Sequence, residues 1–172
     1  MVTPREVCSQ ATIAARIAAV GQAITADYAG KDLVLVAMLK GATVFLADLL
    51  RAIGGPVRFE LVNVTRKGEG TGEAIDLTYA THVNLSGANA LILKDICHSG
   101  VTENYLITHL AQQYPASLDV VALVDRPMLR RVAVEPRYVV LQGVPDGRLV
   151  GYGMENQGRW GNLPGIHLLE GS

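Results

Sequence analysis

The sequence has little of what would mark a secreted or membrane-embedded chain. Its two cysteines among 172 residues, Cys8 and Cys97, form neither a CxxC pair nor a disulfide framework, which fits a reducing compartment. No apolar run approaches the roughly 18 residues a spanning helix requires. The first turns carry Arg5, Cys8 and Gln10, where a secretory leader would carry an unbroken apolar stretch. Charge of one sign is also missing: 15 Lys and Arg against 16 Asp and Glu leave a net charge of -1, so there is no electrostatic footprint for nucleic acid or an anionic membrane. His82, His109 and His167 share no metal-ligand spacing. These absences predict a cytoplasmic protein that serves small molecules, with no nucleic acid and no membrane among its partners.

What is present is hydrophobic periodicity. The length fits one domain spanning residues 1–172, and a 49% hydrophobic share is ample for a core. Ile13, Ile17, Val20 and Ile24 recur at helical spacing within residues 11–28. The continuous apolar run at 33–38 reads as a strand buried on both faces, and residues 42–53 return to helical spacing until Gly54, Gly55 and Pro56 stop it. A strand at 59–64 leads into polar, glycine-rich residues 65–72, where a flexible flap extending over about 65–78 is expected. Further on come a strand at 88–93, a loop at 94–100, a helix at 101–113 and strands at 120–124 and 138–141. This alternation predicts an α/β fold with a mostly parallel twisted sheet flanked by helices, binding ligands at the carboxyl ends of its strands.

Two strand-to-helix junctions can hold anions. In Lys94-Asp95-Ile96-Cys97-His98-Ser99-Gly100-Val101-Thr102, unpaired amides at a helix start attract phosphate, Gly100 permits close backbone approach, and Ser99 and Thr102 add hydroxyls. Asp95 can accept from ribose hydroxyls. The second junction, Leu39-Lys40-Gly41-Ala42, offers an ammonium and free amides for another phosphate. Two such sites suit a ligand with phosphates at both ends. Either turn also reads as an ordinary helix cap.

The segments LVAMLKGATVFLADLLRAI (35–53), LILKDICHSGVT (91–102), LVDRP (123–127) and VGYGMENQGRWGNLP (150–164) resemble, in order, those of hypoxanthine-guanine phosphoribosyltransferases. The resemblance implies a type I phosphoribosyltransferase fold with a small hood built from the terminal segments, its C-terminal part at about 142–172. It implies transfer of the phosphoribosyl group of phosphoribosyl pyrophosphate (PRPP) to a purine or purine-like heterocycle, with Mg2+ as cofactor and a homodimer or homotetramer as the assembly. Lys40, Gly41 and Arg159 would then meet the pyrophosphate. Asp95, Ser99, Gly100, Val101, Thr102 and Lys94 would surround the ribose phosphate, and Arg126, Arg148 and Leu149 would line the base pocket.

Several positions depart from the family pattern. Lys94 and His98 stand where the loop has its first acid and its proton-accepting Asp, Arg126 stands for a Lys, Arg148 for a stacking aromatic residue, and Glu155 for an Asp near the metal. Glu155 is accordingly the candidate metal ligand. An imidazole can take a proton near neutral pH, which makes His98 the candidate catalytic base, and Lys94 can pair with Asp95. The same changes also fit a non-catalytic PRPP- or nucleotide-binding regulatory protein on this fold. Trp160 and Cys97 are expected to serve packing.

Overall fold

The computed structural model describes residues 3–67, 74–79 and 84–170. Its elements in chain order are β1 (Pro4–Cys8), α1 (Gln10–Asp27), β2 (Leu33–Leu39), α2 (Thr43–Ala52), β3 (Arg58–Lys67), β4 (Ala74–Tyr79), β5 (Asn89–Cys97), α3 (Val101–Ala111), β6 (Ser117–Asp125), β7 (Tyr138–Leu141), β8 (Leu149–Val150) and β9 (Ile166–Leu169).

Six strands form one sheet in the order β4-β3-β2-β5-β6-β7. All neighbours are parallel except β3 and β4. The sheet separates two apolar layers. Ile13, Ile17 and Ile24 of α1 and Phe45, Leu46 and Leu49 of α2 pack on one face with Leu35, Leu91 and Leu93. Leu106 and Leu110 of α3 pack on the other with Val34, Val36 and Ile92. Burial on both faces is why β2 is unbroken apolar sequence, and each such side chain removed from water contributes about 1.5–3 kcal/mol. Ser9 caps α1 by accepting from the Thr12 amide at 3.2 Å.

A second, three-stranded sheet, β1-β9-β8, joins the two ends of the chain: Pro4 pairs with Leu169, and Leu149 with Leu168. This is the small hood. Of the expected flap, residues 68–73 lie outside the described residues. Residues 65–67, expected to open a loop, instead continue β3 and pair antiparallel with residues 74–76 of β4, so they hydrogen-bond as a strand despite their polarity. His82 also lies outside the described residues. Among the described residues, no helix is long and apolar enough to cross a membrane.

Candidate active site

The carboxyl ends of β2 and β5 lie side by side, because the two strands are parallel neighbours in register from Leu33↔Asn89 to Ala37↔Leu93. The junctions that follow them are therefore brought together. After β2, the Leu39–Lys40 peptide is cis, the Thr43 amide donates to the Lys40 carbonyl at 3.0 Å, and the Thr43 hydroxyl donates to the same oxygen at 2.6 Å. The turn into α2 is thus tightly closed. Lys40 projects outward, its side chain 80% exposed, with Nζ 3.5 Å from Glu155 Oε1.

β5 runs past its apolar stretch through Lys94 and Asp95 to Cys97, in register with β6 as far as Cys97↔Asp125. Asp95 Oδ1 accepts from its own neighbour, the Ile96 amide, at 2.8 Å and lies 2.9 Å from Lys94 Nζ. The other oxygen, Oδ2, crowds Gly41 so closely that a Cβ there would lie 1.8 Å away. Asp95 is thus the contact between the two junctions. Burial disfavours the Lys94 ammonium, but the charges of Asp95 and Glu103 outweigh it and hold the Lys94 pKa above its ordinary value.

The turn before α3 is held from behind by a segment with no local sequence signal. The Ser99 carbonyl accepts from the Arg131 amide at 2.9 Å and the Val132 amide at 3.1 Å. Arg130 Nη1 donates to the His98 carbonyl at 2.9 Å and lies 3.0 Å from Cys97 Sγ, while Nη2 pairs with Asp125 at the end of β6. Gly100, at φ +77°, backs onto the Val132 carbonyl, which a Cβ would meet at 2.5 Å. The loop is preformed by these contacts. Ser99 Oγ accepts from the Val101 amide at 3.4 Å, Val101 and Thr102 open α3, and the exposed His98 stands at the turn's apex. Cys97 is buried, as expected of a packing residue, and its thiol is pushed up to about 11 by burial and by Glu103.

Two clefts meet at Glu155. One, of about 680 Å³, is bordered by Lys40, Thr43, Glu155, Arg159 and Trp160. The other, of about 530 Å³, is bordered by Ile96, Arg126, Arg148, Leu149 and Glu155. Lys40 and Arg159 are therefore brought to one cleft, and Arg126, Arg148 and Leu149 to the other. Trp160, expected to serve packing, is half-buried and borders the first cleft. A narrower cavity of about 360 Å³, beside Leu33 at the amino end of β2, is far from these groups in the fold and holds neither junction.

In the second cleft, Arg126 Nη2 donates to the carbonyls of Pro145 (3.1 Å) and Gly147 (2.9 Å), fixing the segment that leads into the hood. Its Nε is buried and has no hydrogen-bond partner among the described residues, where the nearest carboxylate oxygen, on exposed Asp146, is 3.9 Å away. Arg148 Nη1 donates to Asn156 Oδ1 at 2.9 Å, so its guanidinium is tied to the hood. Leu149 is 5% exposed and belongs to the core as well as to the cleft wall. Glu155 does not fit a protein-held Mg2+ by itself. It faces the Lys40 ammonium, and no three acidic, histidine or cysteine side chains converge among the described residues.

A mostly parallel α/β sheet with two glycine-containing strand-to-helix turns at the ends of adjacent strands, beside a small terminal hood, is the architecture of proteins that bind ligands at the carboxyl ends of their strands. The sequence pattern of the phosphoribosyl transferase domain matches residues 6–156, and the chain belongs to that family. Over 166 residues it is 34% identical to hypoxanthine-guanine phosphoribosyltransferase of Mycobacterium avium, covering 92% of this chain and 81% of that one. It is 36% identical over 157 residues to the bifunctional protein TilS/HprT of Listeria innocua, covering 90% of this chain, and spans about a quarter (24%) of that longer relative. Among solved structures, a hypoxanthine-guanine phosphoribosyltransferase from Bacillus anthracis superimposes with a TM-score of 0.89 at 30% identity, covering 98% of this chain and 99% of that one. A mutant hypoxanthine phosphoribosyltransferase from Trypanosoma cruzi, solved as its ternary substrates complex, does so with a TM-score of 0.90 at 31% identity, covering 99% and 96%.

Proposed function

We propose that this chain is a phosphoribosyltransferase that moves the 5-phosphoribosyl group of PRPP onto a purine or purine-like heterocycle and releases pyrophosphate. The observation that carries the reading is the Asp95 carboxylate, which packs on Gly41 of one anion-binding turn and lies on the strand that leads into the other. A ligand with a phosphate at each end of a ribose spans that arrangement. The Ser99–Gly100–Val101–Thr102 turn takes the 5'-phosphate, Lys40, Gly41 and Arg159 take the diphosphate, and Asp95 accepts from the sugar hydroxyls between them. The cleft at Arg126, Arg148 and Leu149 takes the acceptor base, whose oxo group accepts from the Arg126 guanidinium that borders it.

In the reaction, the bond from the anomeric carbon to the diphosphate oxygen breaks and its electron pair leaves with pyrophosphate. A purine ring nitrogen bonds to the carbon, and the proton it sheds passes to the His98 imidazole. Magnesium enters this reading on the diphosphate, as part of the substrate. The reading includes a cytoplasmic homodimer or homotetramer. Neither the fold nor the relatives favour the non-catalytic alternative. Incubating the purified chain with PRPP, magnesium and labelled hypoxanthine or guanine tests the proposal: labelled nucleotide should form in step with pyrophosphate, and absence of both products across a panel of purines and other nitrogen heterocycles would refute it.

A further inference from the structure

Arg130 borders neither of the two clefts, yet both ends of its guanidinium are engaged. Its side chain is 14% exposed and faces a separate cavity of about 390 Å³ that it shares with Asp125, Pro127 and Val134. Nη2 pairs with Asp125, the last residue of β6, while Nη1 donates to the His98 carbonyl at 2.9 Å and lies 3.0 Å from Cys97 Sγ. A single turn of 3-10 helix, Pro127–Leu129, carries Arg130 to this place. In it the Leu129 amide donates to the Arg126 carbonyl and the Arg130 amide to the Pro127 carbonyl, both at 3.1 Å, and proline in the first position fixes φ. Immediately after it, the Arg131 and Val132 amides both donate to the Ser99 carbonyl, at 2.9 and 3.1 Å.

Two consecutive carbonyls of the turn before α3, those of His98 and Ser99, are therefore held toward the segment Arg130–Val132. In a trans peptide the carbonyl and the N–H that follows it point in opposite directions, and among the described residues only Leu39–Lys40 is cis. Pinning these carbonyls thus aims the Ser99 and Gly100 N–H groups away from Arg130, on one side of the turn. Successive amides presented on one side make a concave donor surface that suits an anion. Gly100 permits the approach, since its φ is +77° and a Cβ there would lie 3.0 Å from Arg130 Cδ. We propose that Arg130, oriented by Asp125, is a positioning residue for the 5'-phosphate: it sets the direction of the turn's amides from behind, without touching the ligand. The inference rests on the PRPP chemistry proposed above and adds the side chain that preforms the phosphate turn.

The test is a calorimetric titration of the full chain with two probes: ribose 5-phosphate, for the Ser99–Thr102 turn, and inorganic pyrophosphate, for the Lys40–Gly41 turn. Arg130→Met keeps the stem and deletes the donors. It should weaken ribose 5-phosphate by roughly tenfold or more, the scale of a hydrogen bond to a charged group, and leave pyrophosphate within about twofold of native. A residue that served only general folding would not separate the two probes. Should Arg130→Met fold poorly with Asp125 left unpaired, the double variant Asp125→Asn, Arg130→Met removes the stranded charge and is expected to show the same selective loss. An equal change in affinity for the two probes, or an unchanged affinity for ribose 5-phosphate, would overturn the inference alone. Failure of the native protein to bind either probe would overturn the proposed function, and the inference with it.

Discussion

Asp95 Oδ2 lies so close over Gly41 that a Cβ at residue 41 would be 1.8 Å away, well inside any van der Waals contact. One carboxylate thereby ties the Lys40–Gly41 turn to the strand that leads into the Ser99–Thr102 turn. Gly41 is required here for close approach, since no positive φ is involved.

Gly41→Ala should therefore push Asp95 aside and separate the two turns. A misplacement of about 1 Å costs on the order of a hundredfold in catalysis. We expect kcat/KM for PRPP to fall on that scale while the melting temperature changes little, because both residues stand at the edge of the core. Steady-state kinetics beside a thermal scan measures this, and a kcat/KM within about threefold of native would contradict the contact's role.

Gly100 and Gly30 separate backbone strain from packing. Both have positive φ, but a Cβ on Gly30 meets open space, whereas one on Gly100 meets the Val132 carbonyl at 2.5 Å. Gly30→Ala should cost about 1–2 kcal/mol, the backbone penalty alone. Gly100→Ala should cost more in denaturant unfolding and should also weaken PRPP binding. Equal losses of stability in the two variants would contradict the packing argument.

Arg126 holds the Pro145 and Gly147 carbonyls and borders the cleft that Arg148 and Leu149 also line, where the proposed function puts the acceptor base. Arg126→Ala should raise KM for the purine by roughly tenfold or more, the scale of a hydrogen bond to a charged group. KM for PRPP should change much less. A variant that raised both constants equally would place Arg126 in general folding rather than in the acceptor cleft.

Cys97 supplies a pH signature. Burial, followed by the negative charge of Glu103, raises its thiol to about 11, above the ordinary value near 8.5 in an unfolded chain. The folded state therefore prefers the neutral thiol. This contribution to stability is fully present below the unfolded pKa and is lost as pH rises through the folded one. Between about pH 8.5 and 11 the native protein should lose stability more steeply than Cys97→Ala in urea titrations. Parallel pH profiles would show that Cys97 does not titrate as its burial requires.

The parts of the fold legible in the sequence are those whose burial is continuous or periodic. β2 is apolar because both its faces are covered, and α1 shows Ile13, Ile17 and Ile24 at helical spacing because only one face packs. β5 extends four residues beyond its apolar run because Lys94 and Asp95 neutralise each other while their backbone stays in the sheet, a compensation that hydrophobicity alone does not display. The hood strands β1, β8 and β9 are short, and β1 finds its partner β9 only at the opposite end of the chain, so no local pattern announces them. Within the site, the two turns were readable because each follows an apolar strand and contains glycine. Arg130 was not, since its contacts with Asp125, Cys97 and His98 exist only once β5 and β6 are paired.

The most direct test of the account is the rate of pyrophosphate release from PRPP with hypoxanthine and with guanine, in magnesium, by the native protein and His98→Ala. Purine-dependent release by the native protein, with kcat falling about a hundredfold to ten-thousandfold in His98→Ala and PRPP affinity retained, is the expected result for an imidazole general base in a phosphoribosyl transfer. Equal turnover by the two proteins would remove His98 from the chemistry, and no release by the native protein with any purine would contradict the account at its centre.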